Sequence, residues 1–303
     1  MKTRVVLRLL LSMSTFALMA GGAMTSSAAD RIFVWPEMAP GETTLTEGVL
    51  QPNRPDEIPP VMRVTDIRRP SIDVIPADKP NGTAVVVLPG GGFGKVVPDK
   101  EGSEAAPWLN QLGISVFVLR YRTNEVTPKD EPAWRRPLQD AQRTLRLIRH
   151  RAADWKIDPT RVGVLGFSAG GQVAAILHTT DGPAAYSDRD DIDRQKAVPD
   201  FSLLIYPWQI LTRDGDLLPE IQPTAKSPPA FIVHTHDDRS SSVGSVLVYA
   251  GLRNHNVPAE LHVFANGGHG YGMRPVAGSE IGTWPDRATP WLKLQGLTDG
   301  SDR

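Results

Sequence analysis

Cysteine is absent from the 303-residue chain. That absence excludes cysteine nucleophiles and thiolate metal sites, and it leaves stability to a packed core rather than to disulfides. A sustained basic tract is missing too, and the net charge is −1, so nucleic acid is not an expected partner. Beyond residue 29 no apolar run is long enough to span a bilayer. No internal repeat, low-complexity linker or second-domain boundary interrupts the chain.

Residues 1–29 read as a targeting segment. Lys2, Arg4 and Arg8 precede an apolar stretch over 9–20, and Ser27-Ala28-Ala29 supplies the small residues that a signal peptidase reads. Processing there leaves residues 30–303 as one unit, with no stable membrane span, in a periplasm or outside the cell. Arg135, Arg136, Arg143, Arg146, Arg149 and Arg151 lie along a stretch whose apolar positions Leu138, Ala141, Leu145, Ile148 and Ala152 keep helical spacing. A solvated helix face is the expectation for those arginines.

Residues 30–82 are rich in proline and polar residues with short β-like pieces, and they read as a meander at the edge of a sheet. From Ala84 onward, strands and helices alternate. The run 84–88 is apolar throughout, as expected of a strand covered on both faces. Helices are predicted near 103–112, 138–155, 169–177, 243–255 and 288–297. Strands are predicted at 114–120, 162–165, 201–206, 231–234 and 260–264. This order implies an α/β fold, a doubly wound and mostly parallel sheet with helices on both faces. The longest connection of the second half, 208–229, is too short for a large lid, so the site should be open.

Within that order, Gly166-Phe167-Ser168-Ala169-Gly170 falls between a strand and a helix. The pattern G-x-S-x-G in this setting predicts a sharp turn that exposes the Ser168 hydroxyl at the top of the sheet. A serine hydroxyl is a weak nucleophile, so a histidine and a carboxylate should follow. His269, in Gly267-Gly268-His269-Gly270-Tyr271, follows the strand at 260–264 and is the expected base. The carboxylate should follow the strand at 231–234, where Asp237 and Asp238 both stand; Asp237 is the expected partner of the imidazole, with Asp238 capping or orienting the loop. Pro89-Gly90-Gly91-Gly92-Phe93 supplies the remaining piece. The N–H of Gly91 or Gly92 and that of Ala169 would hold a developing oxyanion. This loop has neither the lysine-serine/threonine ending of a P-loop nor the spacing of a dinucleotide fingerprint.

His234-x-His236-x-Asp238 imitates part of a zinc motif, but Arg239 stands where the next histidine belongs. Neither a metal nor an organic cofactor is implied. Phe93, Trp208 and Tyr271, with Tyr206, are candidates to stack on a substrate ring.

With these residues in place the chain resembles the α/β-hydrolase superfamily, and within it the secreted carbohydrate esterases grouped with acetylxylan esterases and hormone-sensitive-lipase-like enzymes. The resemblance runs through Val34-Trp35-Pro36, Leu88-Pro89-Gly90-Gly91-Gly92-Phe93, Pro107-Trp108-Leu109, Leu119-Arg120-Tyr121-Arg122, Pro137-Leu138-Gln139-Asp140-Ala141 and the serine and histidine motifs. It implies hydrolysis of short-chain, usually acetyl, esters on carbohydrate such as acetylated xylan. The opposing expectations are a serine hydrolase or peptidase of another substrate class and, from a different class, a hydrolase-fold protein that binds a glycan or a partner without turnover. The support for the latter is Arg239-Ser240-Ser241-Ser242, which departs from the usual continuation after the aspartates.

Overall fold

The computed structural model describes residues 30–180 and 184–298. The targeting segment expected at 1–29 lies outside the described residues. Eight strands form the main sheet. They are β1 (Asp30–Phe33), β4 (Ser71–Ile75), β5 (Ala84–Leu88), β6 (Ser115–Arg120), β7 (Val162–Phe167), β8 (Ser202–Ile205), β9 (Ala230–Thr235) and β10 (Ala259–Phe264). Their spatial order is β1-β4-β6-β5-β7-β8-β9-β10. β1 pairs antiparallel with β4, and β4 antiparallel with β6; every later pairing is parallel. Two strands of the proline-rich start, β1 and β4, stand at the antiparallel end of this sheet. β2 (Glu47–Leu50) and β3 (Val64–Ile67) form a separate hairpin.

Among the described residues, five α-helices cover the sheet. α2 (Arg135–His150), α3 (Ser168–Thr179) and α4 (Val243–Asn254) lie on one face, sharing a core with Val86, Leu88, Val164 and Ile232. α1 (Ala106–Gln111) and α5 (Trp284–Leu294) lie on the other, against Val85, Val87, Leu165, Phe167 and Phe231. Alternate residues of one strand thus serve opposite cores, which is why the central strands are apolar throughout. Among the described residues, no helix is long and apolar enough to cross a membrane.

From β5 the chain turns to one side, into β6; from β7 it turns to the other, into β8. β5 and β7 are neighbours, so their carboxyl ends flank the point where the winding reverses. A crevice opens there in doubly wound sheets. The glycine loop leaves β5 at this point, and Ser168 leaves β7.

The arginines of α2 overturn the expectation of a solvated face. Arg136, Arg143, Arg146 and Arg149 are all buried. Arg136 pairs with Glu42 at 2.7 Å, Arg143 with Asp190 at 2.6 Å and Asp193 at 2.8 Å, and Arg149 with Asp200 at 2.7 Å. The reason is tertiary: the acidic stretch around Asp188–Asp200 folds over the helix and brings carboxylates to Arg143, Arg146 and Arg149, while Glu42 and Glu131 meet Arg136. Periodicity within the helix carries no trace of that cover. Only Arg135 of the six is fully exposed, and Arg151 makes a surface pair with Asp154.

A second buried pair ties the amino-terminal segment to the sheet. Arg122 follows β6, and its Nε lies 3.0 Å from both oxygens of Asp140 on α2. The Trp35 indole also donates to Asp140, at 2.8 Å, and Arg122 donates to the Pro40 carbonyl at 2.6 Å. Truncating one member of such a pair strands a buried charge. Asp140→Ala should cost about 3–5 kcal/mol of folding stability, whereas Asp154→Ala, at the exposed pair, should cost no more than about 1 kcal/mol. Urea denaturation of both variants measures the difference, and equal losses would count against the buried pair as the anchor.

Candidate active site

Ser168 is both the residue after β7 and the first residue of α3, and it adopts φ +53°. A left-handed serine is strained, and the surroundings hold it there. Its carbonyl accepts the Trp208 N–H at 2.9 Å. The first turn of α3 lies so close to β5 that a Cβ on Gly170 would strike the Leu88 carbonyl. Glycine is the residue that permits this approach.

The Ser168 Oγ lies 2.7 Å from His269 Nε2, and His269 Nδ1 lies 2.7 Å from Asp238 Oδ2. The predicted serine and histidine therefore meet. The carboxylate on the imidazole is Asp238, which corrects the expectation of Asp237. Asp237 points outward and accepts the N–H groups of Gly267 (3.2 Å) and Gly268 (2.9 Å), shaping the histidine loop from outside. Those bonds hold its carboxyl below the usual range. Asp238 turns inward, where its other contacts are the Ser240 N–H at 2.8 Å and His234 Nε2 at 3.2 Å. Burial pushes Asp238 up, but the hydrogen bonds from His234, His269 and Ser240 outweigh it and lower its pKa to about 2. An ionised Asp238 keeps the proton on His269 Nδ1 and leaves Nε2 free to accept from the serine.

The glycine loop faces this pair across a cavity of about 580 Å³ lined by Gly91, Gly92, Ser168, Trp208, Arg239 and His269 among others. Gly91 has φ +134°, and a Cβ there would strike the Lys95 carbonyl. Ala169 is the second residue of α3. First-turn N–H groups have no partner within their own helix and sit at its positive end, so an anion beside Ser168 is favoured. The loop is held from below by the Tyr121 hydroxyl, which donates to the Pro89 carbonyl at 2.6 Å.

Of the aromatics expected to meet a substrate ring, Trp208 lines the cavity, edge-on to His269 at 4.9 Å between ring centres. Phe93 and Tyr271 do not. Phe93, at φ +65°, packs into the core near Tyr121, and Tyr271 is buried against Tyr206 at 4.2 Å. Tyr206 is itself fully buried. These rings are walls behind the site, because the loops that carry them fold inward at their positive-φ residues. Of the imitated zinc motif, His234 is buried between Ser245 at 2.8 Å and Asp238 at 3.2 Å, while His236 is exposed.

Several cavity residues escaped the sequence reading. Arg54, Glu57, Val61 and Arg63 arrive from the segment between β2 and β3. That segment reaches the site because Val64 and Val96 exchange backbone hydrogen bonds of 2.9 and 2.8 Å, and because the Met62 N–H donates to Asp99 at 2.7 Å. Glu101 is another, as are Lys95, Val97 and Lys100. Glu101 is 5 % exposed and accepts the Tyr206 hydroxyl at 2.8 Å, and that hydroxyl in turn accepts the Gly272 N–H at 2.8 Å. One carboxylate thus links the glycine-loop side of the cavity to the histidine loop.

This fold and its hydrogen-bonded serine, histidine and aspartate define an α/β-hydrolase. The family model BD-FAE matches residues 72–202. An acetylxylan esterase of Xylanibacter ruminicola is 31% identical over 232 residues, covering 68% of this chain and 43% of that protein. Endo-1,4-beta-xylanase B of Butyrivibrio fibrisolvens is 31% identical over 208 residues, covering 61% of this chain and 32% of that protein. The chain therefore spans less than half the length of these curated relatives. Among solved structures, an acetyl ester-xyloside bifunctional hydrolase from Caldicellulosiruptor lactoaceticus superposes with TM-score 0.67 at 28% identity, covering 91% of this chain and 99% of the other. Esterase Est2 of Thermogutta terrifontis, at 20% identity and TM-score 0.64 over 78% of this chain and 92% of its own, shares the fold. The chain is an α/β-hydrolase similar to carbohydrate esterases.

Burial raises the Glu101 pKa, against the hydrogen bond from Tyr206 and the nearby His269. A carboxyl whose folded pKa is raised stabilises the fold most below its unfolded pKa and loses that contribution as pH rises through the folded one. Glu101→Gln cannot ionise, so its melting temperature should rise relative to the unchanged protein as pH climbs above about 4, the usual glutamate value. Thermal melts of the two proteins at rising pH test this; a pH-independent offset would show that Glu101 does not titrate in this way.

Proposed function

We propose that the chain is a serine esterase that removes short acyl groups, acetyl above all, from carbohydrate such as acetylated xylan. The observation that carries the reading is the unbroken chain Ser168–His269–Asp238, with bonds of 2.7 Å each, opening on a cavity beside Gly91 and Gly92. In the proposed reaction the Ser168 Oγ attacks the ester carbonyl while His269 Nε2 takes its proton. Asp238 stabilises the imidazolium, and the N–H groups of Ala169 and of Gly91 or Gly92 receive the oxyanion. His269 then protonates the departing alcohol. Water enters by the same route in reverse and releases the acid.

The walls support a small acyl group. Val61, Val97 and Trp208 are the apolar members of a lining otherwise made of glycines and polar or charged residues. A long alkyl chain would find little apolar surface there to repay its desolvation. The open cavity suits a bulky alcohol such as a sugar, and Trp208 offers it a ring face. The similar acetylxylan esterase and acetyl ester-xyloside hydrolase agree with that substrate class. Export is part of the proposal and rests on the charged and apolar start of the sequence and on Ser27-Ala28-Ala29.

Nitrophenyl acetate, butyrate and octanoate provide the test. Turnover should fall steeply with acyl length and be abolished in Ser168→Ala. Asp238→Asn should lower kcat by about 10³–10⁴-fold, and Asp237→Asn by about tenfold or less. The reverse ranking of the two aspartates would reassign the acid. No turnover by the folded protein, with no labelling of Ser168 by a phosphonate, would leave a binding protein in its place.

A further inference from the structure

The cavity at Ser168 carries a local charge that the chain as a whole does not. Five cations line it, Arg54, Arg63, Lys95, Lys100 and Arg239, against the carboxylates of Glu57 and Glu101. The net charge of the entire protein is −1. Both carboxylates are already engaged. Glu57 takes Arg63 through both of its oxygens, at 2.7 and 2.5 Å, and lies 3.7 Å from Arg54. Glu101 is buried on Tyr206. Lys95 and Arg239 have no carboxylate within ion-pair distance among the described residues.

These two cations reach the cavity from different loops. Lys95 follows the glycine loop, and Arg239 directly follows Asp238. The Arg239 guanidinium stacks over the Trp208 ring at 5.0 Å, and that ring meets His269 at 4.9 Å. Stacking fixes the plane of the guanidinium and leaves its N–H fork for a ligand, the geometry that suits a carboxylate. A positive cleft with its counter-charges engaged also concentrates anions from solution.

We propose that the preferred substrate is acidic: an acetylated glycan bearing a uronate carboxylate close to the ester, held between Arg239 and Lys95. This rests on the esterase reading and adds the charge of the alcohol. A neutral acetylated sugar would leave both cations without a partner. The carboxylate would take a charge-assisted contact from each, while the ester carbonyl faces Ser168.

The test compares kcat/KM on acetylated xylo-oligosaccharides of equal length, with and without a uronate branch. At about 20 mM salt the branched substrate should be favoured by about tenfold or more, and at about 500 mM the ratio should approach one. The double variant Arg239→Gln, Lys95→Gln, shown by circular dichroism to be folded, should bring the ratio toward one at low salt. A ratio at or below one in the unchanged protein, or a salt-independent ratio that survives the double substitution, overturns the proposal. Nitrophenyl acetate is run alongside as a neutral ester without a sugar. Its turnover separates a wrong charge preference from failure of the esterase reading, which would remove this inference as well.

Discussion

The first turn of α3 lies directly on the carboxyl end of β5, and the geometry around Ser168 follows from that contact. Gly170 leaves no room for a side chain between the helix and the Leu88 carbonyl. Moving α3 outward by the thickness of a methyl group would shift the serine, the first-turn N–H groups and the glycine loop relative to one another. Because transition-state contacts depend on placement at the ångström level, this backbone contact governs the site more than any single side chain does. It also explains the φ of Ser168: the chain must reverse within one residue to pass from the strand into a helix lying across the neighbouring strand's end.

Around that point the structure uses buried charge as scaffolding. Arg122 with Asp140, 18 residues apart, and Arg143 with Asp190, 47 residues apart, join α2 to other segments of the chain. Each pair is costly to bury and costlier to break. Their value is positional: Arg122 fixes the end of β6, and the adjacent Tyr121 holds the Pro89 carbonyl beneath the glycine loop. Glu101 extends the same logic into the site, spanning from the glycine-loop side to the histidine loop through Tyr206. At the cavity, Lys95 and Arg239 have no carboxylate partner among the described residues. Scaffold charges are matched within the protein, while Lys95 and Arg239 are left for what enters.

Much of this was legible in the sequence. The apolar run at 84–88, the alternation after it and the G-x-S-x-G turn specify a parallel sheet and put Ser168 at its carboxyl edge, because periodicity and turn chemistry are local. His269 was legible too, through its glycine loop after the last strand. What stayed hidden depends on direction and distance. Asp237 and Asp238 are adjacent and chemically identical, and only the path of the loop after β9 turns one toward the imidazole and the other toward the glycine N–H groups. Phe93 and Tyr271 read as candidates to stack on a substrate ring because positive-φ residues beside a glycine-rich loop give no sign in sequence of which way the ring falls.

The sequence by itself determined the order of strands and helices, the nucleophile and the loops that surround it, since these follow from side-chain pattern and backbone propensity over a few residues. Tertiary structure alone decided which aspartate meets His269, that Arg136, Arg143, Arg146 and Arg149 of α2 are buried, and that Arg54, Arg63 and Glu101 belong to the cavity. The physical reason is the same in each case: a charged or aromatic side chain is placed by partners far along the chain, and the Coulomb and packing terms that fix it have no counterpart in its local sequence.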